Sequence, residues 1–148
     1  MSNLRSFLRR YRAFTLVELL IVIVVLAVLA AIVIPKFADS STRGKESSLK
    51  ADLKLVRNAV ELFKNDTGAY PAALSDLTAA AAPASGKDSA AAAKTITASD
   101  FKGPYLSALP NDPISGSALT YSVTAGTVGK VSASATGNDS AGTAFSTY

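Results

Sequence analysis

The chain contains neither cysteine nor histidine. Without cysteine there can be no disulfide and no thiolate metal site. Without histidine, Ser-His-Asp triads, Cys-His pairs and imidazole ligands are excluded together. The expectation is a structural protein, not an enzyme, with no cofactor required. Positive charge is also scarcer than the total of +4 implies. Residues 1–13 hold Arg5, Arg9, Arg10 and Arg12 and no acid; removing these four from fifteen basic residues leaves eleven against eleven acids. A neutral remainder carries no electrostatic footprint for nucleic acid. The basic stretch instead suits the cytoplasmic face of a membrane, with the downstream part across it.

What the chain does have is a long apolar run broken by one acid. Glu18 lies four residues into the span 14–34, and the sixteen residues from 19 to 34 are all apolar. A helix of that length covers roughly 30 Å, the hydrocarbon thickness of a bilayer. A carboxylate there costs about 2.5–3.5 kcal/mol on insertion scales, so it needs a functional reason. A secretory signal peptide would have a shorter apolar region, about 7–15 residues, before a small-residue cleavage site. A plain signal-anchor helix has the right length but gives no reason for Glu18.

The residues around the acid supply that reason. Phe14-Thr15-Leu16-Val17-Glu18, preceded by a basic leader and followed by the apolar run and Pro35, resembles the type IV pilin family, including the pseudopilins of type II secretion. The resemblance implies cleavage between Ala13 and Phe14 by a prepilin peptidase, which also methylates the new amine of Phe14. Ala13 stands where the family usually has glycine. A methylated amine keeps its positive charge, and Glu18 follows it by four residues, about one helical turn. The amine of a staggered neighbour could then pair with Glu18 and offset the desolvation of both groups. Many pilins close a C-terminal loop with a disulfide, which this chain cannot do.

Four regions follow: a leader, 1–13; a transmembrane or filament-core half-helix, 14–35; an amphipathic half-helix, 36–67; and a globular head, 68–148. Pro35 lacks a backbone donor and crowds the preceding turn, predicting a kink or loosening over 31–35. Residues 39–48 are rich in serine, threonine and glycine, and are read as helical by continuity with both flanks. Leu49, Leu53, Val56, Val60 and Phe63 then recur at steps of four and three, the stripe of a core-facing helix. Glu46–Lys50 and Arg57–Glu61 are spaced as i,i+4 pairs. Gly68 and Pro71 end the helix. Asp66-Thr67-Gly68-Ala69-Tyr70-Pro71 resembles the helix-exit turn of many pseudopilins and some type IV pilins, with Tyr70 folding back as an anchor.

In the head, a short helix is expected over 74–80. An alanine-rich loop follows at 79–98, with a candidate helix at 88–94. Prolines 104, 110 and 113 mark a rigid connector, and 103–113 again resembles the pseudopilin-like group. Strand-like runs at 119–124, 127–135 and 143–147 are separated by turn residues. The expected fold is α+β: one long N-terminal helix packed on a small antiparallel sheet. Major pseudopilins bind calcium in their C-terminal loops, which makes Asp139, in Gly137-Asn138-Asp139-Ser140, a weak metal candidate. Calcium takes six to eight oxygens, and this segment offers few; a solvated turn is the simpler reading.

The function these features imply is a structural subunit of a type IV pilus-like filament, serving adhesion, twitching or DNA uptake. Alternatives are a major pseudopilin of type II secretion and a signal-anchored envelope domain. The resemblance further implies a homo-oligomeric helical filament and an inner-membrane platform with a separate ATPase. The subunit would sit in membrane lipid, N-terminus cytoplasmic, before entering a surface or periplasmic filament.

Overall fold

The computed structural model describes residues 14–148; the leader and Ala13 lie outside the described residues. Contacts divide the chain into two units, with the boundary between Ser40 and Ser41. Helix α1, Leu16–Thr67, is continuous in its assignment and has Pro35 in its interior. The serine- and glycine-rich stretch 39–48 is helical, as continuity required.

In the second unit the predicted stripe is the core. Leu49, Leu53, Val56, Val60 and Phe63 are all essentially solvent-free, and Leu77, Ile96, Leu106, Leu119, Val131 and Phe145 close over them. Phe63 meets the rings of Phe101 and Tyr105 edge-on or tilted, with centroids 6.0 and 5.6 Å away. The helix stops where glycine permits it. Gly68 takes φ 69°, and its amide donates to the Lys64 carbonyl at 2.8 Å, a left-handed cap that an L side chain disfavours. The Lys94 ammonium donates to the Gly68 carbonyl at 2.7 Å. Tyr70 does fold back; its hydroxyl accepts from Lys64 at 2.8 Å and its ring lies against Gly129, where an added Cβ would come within 2.4 Å of ring carbons.

Among the described residues, two antiparallel pairs make up the named strands: β1 (Ser85–Lys87) with β2 (Ala93–Thr95), and β3 (Thr120–Tyr121) with β4 (Val131–Ser132). Gly86 opposes Lys94 in the first and Tyr121 opposes Val131 in the second. The α+β expectation therefore holds, with shorter strands than the sequence suggested.

Three local expectations fail for physical reasons. Residues 88–94 form no helix. The Asp88 carboxylate accepts from the amides of Ala90 and Ala92 and Ala91 takes φ 67°, so a side chain that competes for backbone donors turns the alanines into a hairpin. Residues 143–147 form no strand but end in a 3-10 turn, Phe145–Thr147. That turn places Phe145 in the core, with Tyr148 stacked edge-on at 5.9 Å. The 74–80 helix is reduced to a 3-10 turn, Leu74–Thr78, in which Asp76 holds the amides of Ala72 and Ala73.

Both predicted i,i+4 ion pairs are replaced as well. Arg57 donates twice to the Val131 carbonyl, at 3.0 and 2.7 Å, and Glu61 pairs with Lys64 instead. Glu46 reaches Ser140 and Lys50 reaches Asp139. A buried tertiary acceptor outcompetes an exposed helix-surface partner worth a few tenths of a kcal/mol.

Candidate functional site

The first unit offers one chemical feature at its start and one along its length. Thr15 caps α1: its hydroxyl accepts from the Glu18 amide at 3.2 Å, and its carbonyl accepts from the Leu19 amide at 3.2 Å. Threonine three residues before glutamate is the capping-box spacing. The Thr15-x-x-Glu18 spacing is a local signal visible in the sequence, separate from the cost of the charge in lipid. Phe14 precedes the cap in non-helical backbone and is largely exposed. Glu18 sits in the first turn, where the positive end of the helix macrodipole favours a carboxylate. It is exposed, and the ion pairs among the described residues, Lys50–Asp139 and Lys64–Glu61, leave it out.

Along the length, the apolar surface is left uncovered by the described residues. Every large hydrophobic residue from Leu16 to Ile34 is between 45 and 82 % exposed. The helix is long and apolar enough to cross a membrane, and its most apolar window has a mean hydropathy of 3.3 with none of it buried. An all-round apolar helix requires lipid or like helices around it. Pro35 removes the donor that the Ala31 carbonyl would otherwise receive, yet the helix runs on, and Ser40 Oγ donates to the Lys36 carbonyl at 3.0 Å.

The polar groups of the second unit are committed to structure. Asp112 is fully buried. Its carboxylate accepts from the amides of Ile114, Ser115, Ser134 and Ala135 and from the Ser134 hydroxyl. Burial alone would raise its pKa, but these donors outweigh burial and hold it below the usual carboxylate range. Burial pushes the Tyr121 phenol well above its ordinary value, and its hydroxyl donates to the Pro71 carbonyl at 2.8 Å.

Asp139, the weak calcium candidate, has its oxygens in use. It accepts from the amides of Ala141 and Thr143 and from the Tyr148 hydroxyl, and the Lys50 ammonium stands 3.7 Å away. Among the described residues no group of three acidic or metal-ligating side chains could hold an ion. Calcium wants six to eight oxygens without a neighbouring cation. The donor set does not fit it.

Comparison with known proteins places this arrangement. Residues 8–34 match a family profile described as the prokaryotic N-terminal methylation motif. Residues 36–145 match the profile for type II secretion system (T2SS), protein G. The chain belongs to the protein G family of type II secretion. Type II secretion system core protein G of Klebsiella pneumoniae is 31% identical over 106 residues, covering 72% of this chain and 71% of its own. The Aeromonas hydrophila protein G is 30% identical over 112 residues, 71% of this chain and 68% of its own. A type IV major pilin protein of Myxococcus xanthus is 41% identical, but over 61 residues, 41% of this chain and 28% of the pilin. No solved structure gives a significant match. The sequence placed a surface pilus first and secretion second; membership of the protein G family reverses that order. The methylation motif implies a filament-forming subunit processed by a prepilin peptidase, and with the apolar helix it fits inner-membrane anchoring before assembly.

Proposed function

We propose that this protein is a structural subunit of a type II secretion pseudopilus. It waits in the inner membrane through residues 14–35, is cut between Ala13 and Phe14 and methylated on Phe14, and then enters a helical filament through the same helix. The observation that carries this reading is the unburied apolar half of α1 in a chain whose remainder matches protein G. Leaving lipid for a bundle of identical helices is a transfer from apolar to apolar surroundings, so it needs little net hydrophobic driving force. Register can come from charge: the amine made by cleavage on one subunit and Glu18 on its neighbour. A separate ATPase drives the movement, and the subunit itself performs no chemistry. The filament is periplasmic on this reading, and lipid and sister subunits are the direct partners.

Deleting the gene tests the assignment. Loss of secreted proteins from the medium, with surface filaments unchanged, is the expected result. Loss of surface filaments with secretion intact would instead establish the pilus reading, which the identity with the Myxococcus xanthus pilin favours. Mass spectrometry of assembled material should find Phe14 first and one methyl group heavier; material retaining residues 1–13 would overturn the processing step.

A further inference from the structure

The C-terminal loop is closed on the helix by a crossed pair of polar contacts. Glu46 and Lys50 are one turn apart on α1, and Asp139 and Ser140 are adjacent in the loop. Glu46, itself 5% exposed, accepts from the Ser140 amide and hydroxyl, both at 2.7 Å. Lys50 faces Asp139 at 3.7 Å, and only 3% of the Asp139 side chain is exposed. The Lys50 ammonium also lies 4.7 Å from the centre of the Tyr148 ring, a cation–π distance. Tyr148 in turn donates to Asp139, so helix, loop and the 145–148 segment meet around one ammonium.

We infer that Lys50 is the built-in cation of this loop, supplying from the helix the positive charge that a bound calcium ion would otherwise bring, so that the head closes without metal. A buried carboxylate needs compensation. Here two backbone amides, a phenol and an ammonium provide it, and the ammonium repels a divalent ion from the same oxygens. The tyrosine and the neighbouring amides hold Asp139 below the usual carboxylate range despite its burial. Tyr148 and Asp139 correspondingly hold Lys50 above its ordinary value.

The test uses the full-length protein in detergent micelles, melted and digested in calcium chloride or in chelator. Equal melting temperatures and equal proteolysis of residues 137–148 are expected in the two buffers. A site saturated by calcium would raise the melting temperature by about 10 °C, and such a rise would overturn the inference. Lys50→Met keeps the apolar stem and removes the charge. It should speed cleavage within 137–148 several-fold, since cleavage follows the open population, with Lys50→Arg restoring resistance. A Lys50→Met loop as resistant as the wild type would also overturn it. Lys50 is half-exposed, so the variant should fold; should it not, Tyr148→Phe removes a donor to Asp139 from the other side and must show the same increase in cleavage.

Discussion

Residues 14–40 and 41–148 treat apolar surface in opposite ways. In the second unit Leu49, Leu53, Val56, Val60 and Phe63 are buried by loops and short strands of the same chain. In the first, the leucines, valines and isoleucines from Leu16 to Ile34 stay between 45 and 82 % exposed. The difference is not one of propensity, because both belong to one helix. It lies in what the rest of the chain provides. The head supplies a cover for one face of α1, whereas residues 14–35 have only surroundings of lipid or sister helices to satisfy them. One half of the helix is finished by folding and the other by assembly.

A matched pair of substitutions should separate the two halves of the helix. Leu53→Ala should cost about 2–5 kcal/mol of head stability, whereas Leu26→Ala, more than half exposed, should leave head stability unchanged. Chemical denaturation of the full-length protein in micelles gives both numbers. Comparable losses would show that the first unit is folded by the same contacts as the second.

Asp112→Ala comes next, because it strands four backbone amides. It should destabilise the head by about 2–4 kcal/mol. Its pKa is lowered in the folded state, so its contribution is complete above the ordinary carboxylate value of about 3.9 and fades as pH falls through the lower folded value. The head should therefore lose stability only on the acid side of about pH 4, and Asp112→Asn should flatten that limb of the melting curve. An unchanged acid limb would remove Asp112 as its source.

Arg57→Met should have a smaller effect, about 1–2 kcal/mol, by withdrawing two donors from the Val131 carbonyl while retaining the stem. A double-mutant cycle with Glu61 should give no coupling, since Glu61 pairs with Lys64 instead.

The parts of the fold legible in the sequence are those specified within a few residues. The 49–63 stripe, the Gly68 stop and the apolar span each follow from local periodicity or backbone chemistry. The parts that were not legible depend on partners far along the chain. Glu46 and Lys50 looked like a helix-surface pair because Ser140, 94 residues later, was invisible to spacing. The role of Asp112 could not be read from its neighbours because the amides of Ser134 and Ala135 come from a segment more than twenty residues away. The hairpin in the alanine-rich segment turns on one aspartate competing for backbone donors, against the helix preference of its neighbours. Thr15-x-x-Glu18 is legible in the sequence, since a hydroxyl three residues before an acid at the start of an apolar run is a local capping signal.

Glu18 stands exposed at the start of a helix half that the described residues leave uncovered, so assembly is where its charge should matter. Glu18→Gln removes the charge and keeps the Thr15 cap, whose bond is to the backbone amide. Normal membrane insertion, normal cleavage and an unchanged melting temperature of the head are expected, with assembly lost when it is scored by cross-linking of neighbouring subunits in the cell envelope and by release of secreted proteins into the medium. Normal cross-linking and normal secretion from Glu18→Gln would contradict the pairing of Glu18 with a neighbour's amine.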